Sequence, residues 1–219
     1  KNIHWSSKFY KYWKVGEKAA KNNFNIFLNN GAKNYSIGRN YPGKKNVSKL
    51  SPYLHWGEIS PFEVWQGVNN NMLGENKNIF LSEIGWREFS YNLLYNFPHL
   101  QERNLKNNFD TFPWQENEEL LKKWEKGMTG FPIIDAGMRE LWETGYMHNR
   151  VRMITSSFLV KNLLQNWKHG KNWFWDCLLD ADAASNSASW QWVAGTGTDA
   201  TPFFRIFNPI TQSKKFDEN

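Results

Sequence analysis

The sequence predicts an all-α protein. Three observations carry that expectation: alternating β-branched runs are almost absent, apolar residues recur at helical spacing, and start and stop signals flank those stretches. From Ile134, the residues Met138, Leu141 and Trp142 follow at i+4, i+7 and i+8 and form one apolar stripe. From Val151, the residues Ile154, Phe158, Leu159 and Leu163 make a second. Helices are also expected over 9–28, 61–72 and 79–97. Ser60 and Pro61 supply an N-cap and a first helical residue. Gly145 and Gly170 fall where helices should stop. The connecting stretches 29–48, 104–111 and 195–201 are polar and rich in Asn, Gly and Lys. No repeat is visible, and one helical domain over 1–219 is expected.

The 219 residues suffice for a sizeable core. Aromatic residues make up 17%, with 13 Trp and 16 Phe, more than a helical core needs. Buried Trp asks for a partner for its indole N–H, so this richness points to aromatic platforms, a bound ring system or electron transfer. A large aromatic core is the plainer reading of any single Trp. The net charge of +6 favours a polyanionic partner. The single cysteine, Cys177, excludes an internal disulfide and fits a reducing, cytoplasmic setting. No apolar run approaches membrane-spanning length. The five His and one Cys lack metal-ligand spacing, so no metal site is expected. The chain opens within an expected helix and ends in the polar stretch 214–219, and reads as a piece of something longer.

Four segments could carry chemistry. Segment 35–51 offers hydroxyls (Tyr35, Ser48, Ser51), cations (Arg39, Lys44, Lys45, Lys49) and backbone N–H groups, the parts of a phosphate cradle or of a solvated loop. In 83–88, Glu83 and Arg87 stand at i and i+4, a surface ion pair or, with Trp86, a cationic and aromatic surface. In 146–153, Asn149 and Arg152 enter an otherwise apolar helix, where an unpaired charge is costly; His148 reads as structural. In 180–192, a helix would place Asp182, Asn186 and Trp190 on one face, small residues would admit a flat ligand, and Asp180 is a natural partner for Arg152. Gly195 and Gly197 match no nucleotide-binding loop and read as a turn.

These segments, in this order, resemble the photolyase/cryptochrome family. The resemblance rests on the stretch 50–61 and on Gly85-Trp-Arg-Glu-Phe89, Gly130-Phe-Pro-Ile-Ile-Asp-Ala-Gly-Met-Arg139, Met147-His-Asn-Arg-Val-Arg-Met153, Asp180-Ala-Asp182 and Phe204-Arg-Ile-Phe-Asn-Pro209. It implies a helical domain that holds FAD in a U-shape, reduced in the active state. The family's N-terminal α/β antenna domain and last C-terminal helices are missing from this stretch, so the antenna chromophore stays unnamed. Val47 stands where many relatives carry Thr, one hydroxyl fewer near the phosphates.

Carried over on matching positions, the resemblance places Tyr35, Ser48, Lys49, Leu50 and Ser51 at the diphosphate. It adds Arg87, Asn149, Arg152, Asp180 and Asp182 as cofactor residues, with Asn186 facing flavin N5. Glu83, Trp86, Asn149, Met153 and Trp192 match a pyrimidine-dimer cavity, and Arg39 and Arg205 match contacts to DNA phosphates. Trp190, Trp167 and Trp114 match a chain that reduces oxidised FAD in light. The implied activity is light-driven splitting of cyclobutane pyrimidine dimers in damaged DNA by a monomeric lyase. A cryptochrome-type photoreceptor is the alternative, against which Asn186, Asn149 and Met153 argue. Repair of (6-4) photoproducts lacks its usual His pair near Asn149, and a non-catalytic single-strand binder would leave Asp180, Asp182 and Asn186 unexplained.

Overall fold

The structure is a computed structural model that describes residues 4–199 and 205–217. All regular elements among the described residues are helical. The chain divides into two compact units, residues 1–89 and 90–219.

The first unit holds a 3-10 helix, His4–Lys11, then α1 (Glu17–Ile26), α2 (Tyr35–Gly38), α3 (Ser51–His55), α4 (Pro61–Asn71) and the start of α5 (Gly74–Asn96). One helix was expected over 9–28, but the chain breaks before Glu17. Gly16 takes φ 104, closed to most side chains, and its N–H donates to Glu58 Oε1 at 2.9 Å. Ser60 caps α4 as expected, accepting from Glu63 N at 3.0 Å with Pro61 next, a cap worth about 1 kcal/mol.

The stretch 29–48 was expected as a plain connection and is more structured. A π-turn (Phe27–Gly31), a 3-10 turn (Ala32–Asn34) and α2 follow one another. Burial overrides the polar composition here: Phe27 and Tyr35 both pack on Phe80, each with ring centroids 5.1 Å apart. Asn76 at the start of α5 clasps this turn, accepting from Ser36 N at 2.8 Å and donating to Lys33 O at 3.1 Å.

The second unit contains the end of α5, a 3-10 turn Pro98–Gln101, α6 (Glu118–Glu125), α7 (Pro132–Thr144), α8 (Asn149–Ser157), α9 (Trp167–Cys177), α10 (Ala183–Ala194) and α11 (Pro209–Phe216). The apolar stripe of α7 is buried through Ile134, Met138 and Leu141, whereas Trp142 is 41% exposed. Gly145 ends α7 in the left-handed conformation, φ 70, as its position suggested. The stripe from Val151 is buried through Ile154, Phe158 and Leu159 and half-buried at Leu163, but α8 stops at Ser157 and continues as a π-turn, Phe158–Asn162.

Gly170 does not end a helix; it lies inside α9. The indole of Trp190 on α10 occupies the space a Cβ would need there, so the glycine serves close packing rather than termination. Trp190 also meets Phe174 edge-on at 5.0 Å and Trp124 at 6.2 Å. Trp124, fully buried, satisfies its indole by donating to Thr155 O at 3.0 Å.

Candidate cofactor and substrate residues

In the first unit, the candidate phosphate loop follows α2. Asn46 pins it by donating to Gly31 O at 3.1 Å, and Asn23 donates to Ser48 O at 2.6 Å. Leu50 is sunk into the core, and Lys49 takes a left-handed φ of 51 just before it. That backbone leaves the Ser48 and Ser51 hydroxyls without a hydrogen-bond partner among the described residues, Ser51 as the first residue of α3.

Tyr35 is buried, and burial pushes its phenol up to about 12; the nearby Arg39 works against this and Glu83 with it. The phenol therefore stays a proton donor. Arg39 lies 5.3 Å above the Tyr35 ring and pairs with Glu83, Nη1 to Oε1 at 2.6 Å. Burial is the largest single effect and disfavours the Arg39 charge, but the bond to Glu83 together with the electrostatic contributions of Tyr35 and Glu83 outweighs it and holds the guanidinium above its ordinary range. The reading of Glu83 with Arg87 as an i,i+4 pair is corrected: Arg87 pairs with Glu88 at 2.8 Å. Trp86 is half exposed, edge-on to Phe89 at 5.6 Å. Arg39 and Glu83, both expected at substrate, are thus brought together.

In the second unit, Arg152 and Asp180 form a two-pronged pair, Nη1 to Oδ1 at 3.0 Å and Nη2 to Oδ2 at 2.8 Å. Arg152 Nε donates to Met147 O at 2.7 Å, and the guanidinium lies 5.4 Å from the Tyr146 ring centroid. The Asp180 side chain is only 4% exposed. Burial disfavours the Arg152 charge, yet the Asp180 carboxylate, with smaller help from Tyr146 and Glu140, outweighs it and raises the guanidinium above its ordinary range.

Two residues on, Asp182 is the N-cap of α10, its Oδ1 accepting from Ser185 N at 2.7 Å. The small residues after it are therefore helix rather than loop. Asn186 follows one turn later and donates Nδ2 to Lys171 O at 3.0 Å, which fixes its amide against α9. Trp190 comes next on the same face and is buried. The cap was legible, since Asp before a small-residue run is a start signal; the Lys171 contact was not.

Other expected residues fall into local pairs. Asn149 Nδ2 meets Met153 Sδ at 4.0 Å, and Arg205 stacks 4.3 Å from the centroid of Trp192. His148 has a structural role, its Nδ1 accepting from Arg150 N at 3.2 Å. Trp167 is fully buried and Trp114 half-buried against Phe112 at 4.5 Å. Among the described residues the rings next to Trp190 are Phe174 and Trp124, not Trp167. Phe204, and the last two positions (200–201) of the expected connecting stretch 195–201, lie outside the described residues. The described residues contain no cluster of three metal-ligating side chains and no helix long and apolar enough to cross a membrane.

Three comparisons with known proteins agree. Residues 80–219 match the family described as the FAD-binding domain of DNA photolyase. A deoxyribodipyrimidine photo-lyase of Agrobacterium fabrum is 51% identical over 216 residues, 97% of this chain and 45% of that protein. A class III photolyase structure from Agrobacterium tumefaciens superposes with a TM-score of 0.94 at 50% identity, over 100% of this chain and 46% of that one. A Synechocystis cryptochrome superposes with a TM-score of 0.88 at 35% identity, over 94% of this chain and 44% of that one. The chain thus spans about half the length of the relatives it matches.

The donor set fits FAD in each unit taken by itself. The first unit offers two unengaged hydroxyls and a protonated phenol beside lysines, the chemistry of a diphosphate site. The second offers a neutral amide held in place and, separately, an ion pair whose carboxylate is enclosed. A family model covering most of the chain, a half-identical photo-lyase and a superposing photolyase fold together establish that this chain belongs to the FAD-binding domain family of DNA photolyases.

Proposed function

We propose that the chain is the FAD-binding part of a light-driven repair enzyme that splits cyclobutane pyrimidine dimers in DNA. One observation carries the reading: just after Asp180 of the Arg152–Asp180 pair, Asp182 at the N-cap and Asn186 and Trp190 along α10 follow at four-residue spacing, in a chain half identical to a photo-lyase. FAD, when bound and reduced, supplies the electron that light makes available. The protein's own part is positioning. In the first unit Tyr35, Ser48 and Ser51 donate to phosphate, with Lys49 adding charge and Leu50 anchoring the loop. There Arg87 lies on the cofactor side, Trp86 offers a stacking face, and the Arg39–Glu83 pair offers an acceptor for pyrimidine N–H groups.

In the second unit Arg152 and Asp180 hold a fixed pair of opposite charges, and Asn186 presents a neutral amide. Asn149 and Met153 form a polar and polarisable contact for a pyrimidine pair, and Arg205 on Trp192 offers charge beside an aromatic face. Base extrusion, the behaviour of photolyases as a class, brings the lesion out of the duplex. Trp114, Trp167 and Trp190 form the route by which oxidised FAD is reduced in light. The protein acts as a cytoplasmic monomer on single- or double-stranded damaged DNA.

The test is blue-light repair of a thymine-dimer oligonucleotide by the full-length protein, loaded with FAD and reduced with dithionite, against a dark control. Light-dependent loss of the dimer supports the enzyme. Bound flavin without repair favours the photoreceptor reading, for which the likeness to the Synechocystis cryptochrome is the specific observation.

A further inference from the structure

We propose that Asn104 is a positioning residue for electron transfer: it keeps the indole proton on Trp167, so that a hole on this tryptophan stays a mobile cation. The proposal rests on the tryptophan route above and adds residues that no motif assigns. Trp167 is fully buried, and its Nε1 donates to Asn104 Oδ1 at 2.9 Å. Asn104 Nδ2 donates to Asp110 Oδ1 at 2.7 Å. Chemistry settles which way the amide points. The indole N–H can only donate and a carboxylate can only accept, so oxygen must face Trp167 and nitrogen must face Asp110.

The amide is held from both sides. Gln191, completely buried, donates Nε2 to Arg103 O at 2.8 Å and to Leu100 O at 2.7 Å, and accepts from Leu105 N at 2.8 Å through Oε1. The backbone before and after Asn104 is therefore tied to the residue that follows Trp190. One rigid network orients Asn104 and lies beside two members of the route.

The consequence follows from the electron balance. With oxidised flavin bound as the light-driven one-electron acceptor, Trp190 would give up one electron, Trp167 would refill Trp190, and Trp114 would refill Trp167. While the hole rests on Trp167 its indole N–H is a strong acid. A carboxylate in direct contact would take that proton and leave a neutral radical, a trap. A carboxamide is too weak a base to do so, yet its oxygen stabilises the cation through a charge-assisted hydrogen bond. Asp110 strengthens that oxygen by polarising the amide from its far side. Simple satisfaction of a buried indole would need the first bond only, and would be indifferent to the acceptor's basicity.

The experiment compares Asn104→Asp, Asn104→Leu and Asp110→Asn in the full-length protein. In flavin-free samples, the indole 15N–1H resonance of Trp167 should move in Asn104→Leu and, less, in Asp110→Asn. In FAD-loaded samples on a Trp114→Phe background, where the hole stops at Trp167, transient absorption should show a cation with Asn104 in place and a neutral radical in Asn104→Asp. On the unaltered background, Asn104→Leu should slow photoreduction at least about tenfold, the scale of one hydrogen bond to a charged group. Repair by dithionite-reduced protein should be unchanged in the Asn104 variants. If Asn104→Leu fails to fold, Asn104→Asp and Asp110→Asn still decide. A cation in Asn104→Asp, with unchanged photoreduction, overturns the proposal. Undiminished photoreduction in Trp167→Phe overturns the tryptophan route itself, and is a separate result.

Discussion

Arg152 and Asp180, 28 residues apart in sequence, meet through two nearly parallel hydrogen bonds with the carboxylate almost wholly enclosed. Enclosure makes the pair asymmetric in its effects. Its net contribution to stability is small, because both charges are desolvated, but removing one partner strands the other. Asp180→Ala should therefore destabilise the protein by about 3–5 kcal/mol, read from urea unfolding of flavin-free protein. Loss within 1 kcal/mol would show that water reaches the pair in solution.

The packing of Trp190 on Gly170 yields a second test. A methyl group at 170 would coincide with the indole, so Gly170→Ala should displace Trp190 rather than merely stiffen α9. Overpacking of this kind costs about 1–3 kcal/mol. Thermal unfolding should fall accordingly, and flavin photoreduction should slow because the ring has moved. A higher Tm, the usual result of Gly→Ala in a helix, would contradict the contact.

Asn186 donates to the Lys171 carbonyl, so Asn186→Asp changes two things together. It brings negative charge toward a reduced flavin that itself carries negative charge, and the flavin midpoint potential should become more negative. It also replaces a donor with a group that only accepts, facing a carbonyl, which costs about 1–3 kcal/mol. Redox titration and thermal unfolding read the two effects separately, and an unmoved potential removes Asn186 from the cofactor's surroundings.

These contacts mark the boundary of what the sequence discloses. Helix content, the Ser60 cap and the Gly145 stop are local signals and were legible, as was the likelihood that Arg152 needs Asp180. What escaped depends on the third dimension. Gly170 mimics a stop signal because a glycine selected for close packing looks the same as one selected for φ. Glu83 has two cations within reach by residue type, and the i+4 rule chose Arg87, whereas burial beside Tyr35 favours Arg39. Asn104 lies in a stretch with no periodicity and Gln191 follows Trp190 on α10, and only long-range hydrogen bonds give the two their role.

The Arg39–Glu83 pair tests whether Arg39 serves DNA phosphate or its carboxylate neighbour. A phosphate contact would make Arg39→Gln lower the salt dependence of DNA binding by about one charge. A partner of Glu83 behaves otherwise. Arg39→Gln and Glu83→Gln should each weaken binding of a dimer-containing oligonucleotide, while the double variant should be little worse than either. With Arg39 mostly enclosed and Glu83 part exposed, a coupling of about 1 kcal/mol is expected. Strict additivity with a reduced salt slope would return Arg39 to the phosphates.

Cys177 links burial to pH. Burial, with smaller contributions from Asp176 and Glu125, pushes its thiol up to about 12 from an ordinary value of 9.0. The unfolded chain releases this proton first as pH rises, so the folded state loses relative stability between about pH 9 and 12 while lower pH leaves it unaffected. The same burial withholds the thiolate that thiol reagents attack. At pH 8 labelling of the native protein should therefore be slow and should accelerate with urea in step with unfolding. Fast labelling of folded protein would mean that the end of α9 opens locally, since the free thiol has no other route to solvent.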